Sequence, residues 1–249
     1  MIFNLVKAEF NRYKVEILNY YPDQIVDIII KYLLFMVIFK TNTIANFAGV
    51  LAYLYWNIAS TLISEISISM SSEKQIGTID QLMLNPFHLT YIIVIRSYVV
   101  FLFALLKSAI LIAIISLSLK EINFLINVEM ILIFLISLIG FTGLGLILSA
   151  LTLKYVKIAS FEQLFMYGLL IVSTVAIKAD SYKGIIFYLL KIFPFTNAIY
   201  LSDLSLKAAI GINDWSLFVL TNIIVLIIGY KVFDIFLKYA KKKGIINSY

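Results

Sequence analysis

From Met130 to Leu153 the chain runs without one charged residue, and no other feature narrows its possible folds as much. About 18 such residues already suffice for a helix that crosses the hydrocarbon core of a bilayer. Inside lipid the backbone N–H and C=O groups find no water, so each must bond within its own helix or within a closed barrel. The rest of the sequence follows suit. Hydrophobic residues make up 62% and charged residues 14%, where soluble proteins carry about 25% charged, and the mean hydropathy is +1.01. An all-α integral membrane protein is the reading this imposes.

Six spans are predicted, near 23–39, 44–70, 89–119, 124–153, 158–177 and 215–239. Several exceed the ~20 residues a crossing needs, so tilt is expected. Before them, Phe3, Val6, Phe10, Tyr13, Ile17 and Tyr20 recur at helical spacing beside Lys7, Glu9, Arg12, Lys14 and Glu16. That is the pattern of an interfacial helix over residues 1–22, lying in the headgroup plane. Tyr21-Pro22 ends it, because the residue before proline is pushed out of helical backbone. Between the last two spans, residues 180–213 hold an apolar stretch, 185–201, that is cut by Lys191 and Pro194. Each half is too short to cross, which predicts a re-entrant or outer helical hairpin. No repeat or soluble segment is visible, so residues 1–249 read as one transmembrane domain.

Six spans put both termini on one side. Basic residues there, with Lys74, Lys154 and the run 241–243 among them, outnumber those in the opposite loops. The positive-inside rule makes that side cytoplasmic. The net charge of +6 is explained by this asymmetry, and nucleic acid is not an expected partner. There is no cysteine, which excludes disulfides and thiolate metal sites. No cleavable signal peptide is visible. Abundant Ile, Lys and Asn suggest a bacterial source, and the cell membrane is the expected location.

The connector between the second and third spans, residues 71–87, carries the functional signal. Thr78 and Gln81 fit a capping box, and Pro86 closes the element, so a helix of about two turns is expected. Polar Glu73, Lys74, Gln75 and Asp80 stand beside apolar Ile76, Ile79, Leu82 and Met83. A short helix of this kind can place one face in a groove of a soluble partner.

Here the chain resembles the permease subunits of type-two ABC exporters. Their first cytoplasmic loop reads roughly Glu-basic-x-x-Gly-Thr-aliphatic-acid-x-Leu, closing on a small polar residue and Pro. Glu73, Lys74, Gly77, Thr78, Ile79, Asp80, Leu82 and Pro86 stand at those spacings. Asp80 replaces the usual Glu and Asn85 the usual Ser or Thr. Phe193-Pro194-Phe195-Thr196-Asn197-Ala198 is similar to the family's outer-loop pattern. The resemblance implies that Glu73, Lys74, Gln75, Gly77, Thr78, Asp80, Gln81, Leu82 and Pro86 couple the membrane part to ABC ATPase subunits. It also implies a second permease copy or a sister permease. The chain has no Gly-x-x-x-x-Gly-Lys-Ser/Thr loop, so ATP and Mg are expected on the partner ATPase, with no cofactor and no catalysis on this chain.

Intramembrane ionisable groups are functional candidates by default. Glu65 and Arg96 flank the connector on the second and third spans, which an antiparallel hairpin puts at similar depth, and they are expected to pair. Asp27 and Lys31 suit a local helical pair. Lys107 either snorkels to the surface or faces the substrate path. The resemblance has the second and fifth spans line the path, which nominates Tyr53, Trp56, Asn57, Ser60 and Thr61, then Phe165 and Ser173. Gly140, Gly143 and Gly145 suit close helix packing within one subunit. His88 has no companions for metal or catalysis.

An integral-membrane enzyme would need a Gly-x-Ser-x-Gly, a His-Glu-x-x-His or an Asp-rich cluster, and none occurs. A secondary transporter would need broken helices at the midplane, whereas Pro194 falls in the outer loop. The expected function is export of a hydrophobic or amphipathic substrate, a drug or antimicrobial peptide favoured. A lipid or lipid-linked polysaccharide is the alternative, and an ion-coupled secondary transporter the less favoured one.

Overall fold

In a computed structural model the described residues are 2–41, 47–84, 87–118, 127–155, 159–176, 184–207 and 209–243. They form ten helices and no strand. These are α1 (Ile2–Asn19), α2 (Tyr21–Thr41), α3 (Phe47–Ile76), α4 (Ile79–Met83), α5 (Leu89–Ser118), α6 (Val128–Lys154), α7 (Ala159–Ala176), α8 (Ile185–Ile192), α9 (Pro194–Leu206) and α10 (Ile212–Lys243).

Four of them, α3, α5, α6 and α10, are long and apolar enough to cross a membrane. Helix α7 holds a shorter apolar stretch, Ser160–Ser173. Helix α2 spans Tyr21–Thr41 but carries Asp23, Asp27, Lys31 and Lys40. The long helices bury one face in the protein and leave Leu, Ile and Val exposed on the other. Helix α10 is the clearest case: Phe218 and Phe233 are fully buried, while Ile223, Ile224, Ile227 and Ile228 stay exposed. Those exposed faces suit a bilayer, which costs nothing to leave in contact with hydrocarbon.

Packing centres on α6, which lies between α3 and α10. Small residues set that approach. A Cβ on Gly229 would stand 2.2 Å from the Gly143 carbonyl oxygen, and a Cβ on Gly143 would stand 2.5 Å from that of Val225. Without side chains at these positions the two backbones touch, which is how dispersion holds helices together in lipid. The expected intrachain use of Gly143 is therefore met, and Gly229 on α10 is its counterpart. Polar rungs tie the other helices. Trp56 Nε1 of α3 donates to the Met166 carbonyl of α7 at 2.7 Å. Asn57 of α3 donates to Ser108 of α5 at 3.0 Å. The Tyr98 and Thr142 hydroxyls join α5 to α6 at 2.8 Å.

Helix starts and stops follow local chemistry. Asn127 caps α6, its Oδ1 accepting from Met130 N at 2.8 Å, and its Nδ2 donates to the Ser205 carbonyl of α9 at 3.2 Å. One side chain thus closes two helix ends. The apolar segment before α10 breaks at Phe193, and Pro194 takes the first turn of α9, where its missing N–H leaves no bond unmade. The break expected there appears as the α8–α9 pair. Helix α9 is deeply buried, with Phe195, Ala198 and Leu201 sealed in the core, so this pair is an integral part of the packing. Residues 180–183 lie outside the described residues. The N-terminal break falls at Tyr20, with Pro22 in the first turn of α2.

Candidate functional site

Helix α3 ends in a defined stop. Gly77 takes φ 79°, a left-handed backbone that favours glycine. Thr78 N donates to the Glu73 carbonyl at 3.0 Å and Gly77 N to that of Lys74 at 3.3 Å. This is the Schellman arrangement, which satisfies the last carbonyls of a helix. The five-residue α4 follows at once. Its expected capping box does not form: Thr78 precedes α4 but makes no side-chain cap bond. The Thr78 hydroxyl instead turns back to the Glu73 carboxylate. Glycine-driven reversal at Gly77 points the hydroxyl at α3 before α4 begins, which the residue spacing alone could not show.

Glu73 is also gripped from the other side. Arg96 of α5 donates to the Glu73 carboxylate, to both oxygens of Glu9 on α1 at 3.2 Å, and to Ser69 at 3.4 Å. Arg12 Nε reaches the same Glu9 at 2.8 Å. A continuous charged chain therefore runs from α1 through α5 to Glu73 near the end of α3, whose carboxylate accepts from Thr78 just before α4. The expected Glu65–Arg96 pair is not made among the described residues. Arg96 meets Glu73 because most of the connector stands on the α5 side of the α3 stop, which shifts the hairpin register two helical turns toward its closed end.

Glu9 went unnoticed as a site residue. Its signal was present: it stands three residues after Val6 and four before Tyr13, within the apolar stripe. Val6, Tyr13 and Ile17 pack on Val99, Val100 and Phe103 of α5, and the Tyr13 and Phe103 rings lie 5.2 Å apart. Phe3 and Tyr20, at the ends of the same stripe, are exposed. Burial, then the Glu65, Glu16 and Asp27 carboxylates, push the Tyr13 phenol up to about 12.

Lys74 does not face outward. It is buried, and its ammonium donates to the Thr152 and Leu153 carbonyls at 3.3 and 2.9 Å. It closes the C-terminus of α6, where the aligned peptide dipoles favour a cation. Of the segment, Gln75, Ile76, Gly77, Gln81 and Leu84 are exposed, Leu82 is half-buried and Ile79 is sealed in the core. The side chain of Asp80 and all of Pro86 lie outside the described residues. His88, just beyond, bonds the Thr90 hydroxyl at 3.0 Å and stands 4.0 Å from Asp234 of α10.

Two cavities open beside this assembly. The larger, about 620 Å³, lies among α1, α2, α3 and α5; Ser60, Thr61, Glu65 and Lys107 are on its wall. Lys107 reaches Gln24 Oε1 at 2.8 Å and Asp27 at 3.5 Å. The expected Asp27–Lys31 pair forms at 3.1 Å. The smaller, about 370 Å³, lies among α2, α3 and α7 and is lined by Trp56, Ser60, Glu162 and Tyr167 among others. The remaining residues nominated for a path are placed elsewhere. Tyr53 is buried and donates to the Lys31 carbonyl, Asn57 is buried against Ser108, Ser173 is buried and bonds the Leu170 carbonyl, and Phe165 packs on the core. Glu162 and Tyr167 of α7 were missed because they lie one turn or less from the chosen Phe165 on a helix whose phase was unknown.

Residues 2–203 match the family model described as ABC-2 type transporter. No curated protein and no solved structure matches the chain.

Proposed function

The chain belongs to the ABC-2 type transporter family, and from that premise we propose that it is the permease of an ATP-driven exporter for an amphipathic substrate. The observation that carries this reading is the build of the α3–α4 junction. Its inner side is locked by Arg96, Glu9 and Glu73, while Gln75, Ile76, Gln81 and Leu84 are exposed. A surface offered to a partner and clamped behind to three helices can pass on a push. Either half alone would be a solvated loop or a static brace.

In this reading α2 and α7 complete six crossings with α3, α5, α6 and α10, and residues 1–249 act as one transmembrane domain. Both termini and α4 face the cytoplasm of a bacterial cell. Two ABC ATPases bind ATP and Mg, and two permeases, identical or sister chains, enclose the path. Closure of the ATPases draws the α4 elements together and opens the path outward, as alternating access requires. Charged walls on the larger cavity favour an amphipathic cargo over a purely apolar one, with a drug or peptide preferred.

The test is co-expression of the chain with the ABC ATPase encoded beside it. Joint purification and cargo-stimulated ATP hydrolysis are expected. Gln81→Ala with Leu84→Asp should uncouple hydrolysis from transport while the protein stays monodisperse. Failure to associate with any ABC ATPase would overturn the proposal.

A further inference from the structure

The larger cavity has one acid without a direct partner on its wall. Lys31 and Lys107 share Asp27. Arg12 and Arg96 share Glu9, Arg96 also holds Glu73, and Arg12 reaches Glu16 at 3.9 Å. Every cation on the wall is thus engaged. Glu65 projects from α3 onto the same wall and makes no hydrogen bond or ion pair among the described residues. Four cations and four carboxylates line the wall, with Glu9 just behind it, and Glu65 is the one acid there without a direct bond. A carboxylate at membrane depth without a partner is costly, and a ligand of opposite charge removes the cost.

We infer that this cavity binds an organic monocation, with the Glu65 carboxylate as its counter-ion. The size of the space argues against an inorganic ion, since about 620 Å³ far exceeds one metal. No group of three or more His, Asp or Glu side chains among the described residues could hold a metal. The wall also offers an apolar side for the body of such a ligand. Ile68 and Val100 stand on it, with the ring of Tyr13, and aromatic faces attract cations. The nearby hydroxyls add little: Ser60, Thr61 and Ser64 already donate to carbonyls of their own helix, so charge and shape supply the selectivity. On the exporter reading, on which this extension to cargo rests, amphipathic cations become the transported class.

The experiment uses the full chain in lipid nanodiscs and two probes of nearly equal shape and opposite charge, tetraphenylphosphonium and tetraphenylborate. Saturable binding of one tetraphenylphosphonium per chain is expected, with tetraphenylborate showing only lipid partitioning. Glu65→Gln should weaken tetraphenylphosphonium binding on the order of tenfold or more, and Glu65→Asp should restore most of it. Lys107→Met, which removes a cation from the wall, should tighten binding, a gain that misfolding cannot mimic. Equal behaviour of the two probes, or unchanged binding in Glu65→Gln, overturns the inference. Selective binding to the chain without effect on ATP hydrolysis by the co-expressed complex would leave the site standing and count against the exporter reading alone.

Discussion

Arg96 is the point at which three helices depend on one side chain, so its removal gives a quantitative test. Arg96, Glu9 and Glu73 side chains are 11%, 9% and 13% exposed, which classes their contacts with buried pairs. Replacing Arg96 by Met leaves two carboxylates facing each other without their cation. Removing one partner of such a pair costs about 3–5 kcal/mol, and Glu9→Gln, which loses charge-assisted bonds but keeps the shape, should cost roughly 1.5–3 kcal/mol. A double-mutant cycle separates contact from bystander. Glu9 and Arg96 share direct bonds, and a coupling of about 1–3 kcal/mol is expected between them. Glu65 and Arg96 share none, and their coupling should stay below roughly 0.5 kcal/mol. The two tryptophans of the chain report unfolding by fluorescence in mixed micelles titrated with denaturing detergent. A Glu65–Arg96 coupling equal to or above that of Glu9–Arg96 would refute the register of the α3–α5 hairpin.

Three further outcomes are expected. Gly143→Leu or Gly229→Leu should cost more than the roughly 1–3 kcal/mol of ordinary overpacking, because the new side chain meets backbone; Gly168→Ala, with nothing within 4 Å of the added Cβ, should be neutral or stabilising, and fluorescence-detected size exclusion compares them. Lys74→Met should lower thermal stability, by about 1–2 kcal/mol from the lost helix-end contact, while leaving affinity for the ATPase unchanged in a pull-down. Asn127→Ala should cost about 1 kcal/mol through the lost cap of α6, and raise amide exchange at the start of that helix.

The membrane class was readable in the residues because lipid imposes a crude rule. An uncharged run such as 130–153 can do little but cross, and Gly77-Thr78 between two apolar runs can do little but turn. The direction each side chain faces was less legible. Lys74 and Glu73 are neighbours in a polar connector, yet one closes α6 and the other is clamped by Arg96, because helix phase and the left-handed turn at Gly77 decide where each points. Helix α2 shows another limit. Its charged residues keep it below the apolarity of the four long spans, since Asp27 and Lys31 are neutralised by pairing that composition does not reveal. Tyr53 and Asn57 likewise look like path residues in a sequence, but polar groups within a bundle more often bond the next helix.

The proposed coupling role of α4 has one direct measurement. The natural chain lacks cysteine, so single-cysteine variants carry one reactive thiol each. A thiol-specific bifunctional cross-linker should join Leu84→Cys to an ABC ATPase in native membranes, with the adduct identified by mass spectrometry, while Lys74→Cys and Gly184→Cys should not. Cross-linking to the ATPase from Gly184→Cys and none from Leu84→Cys would contradict it.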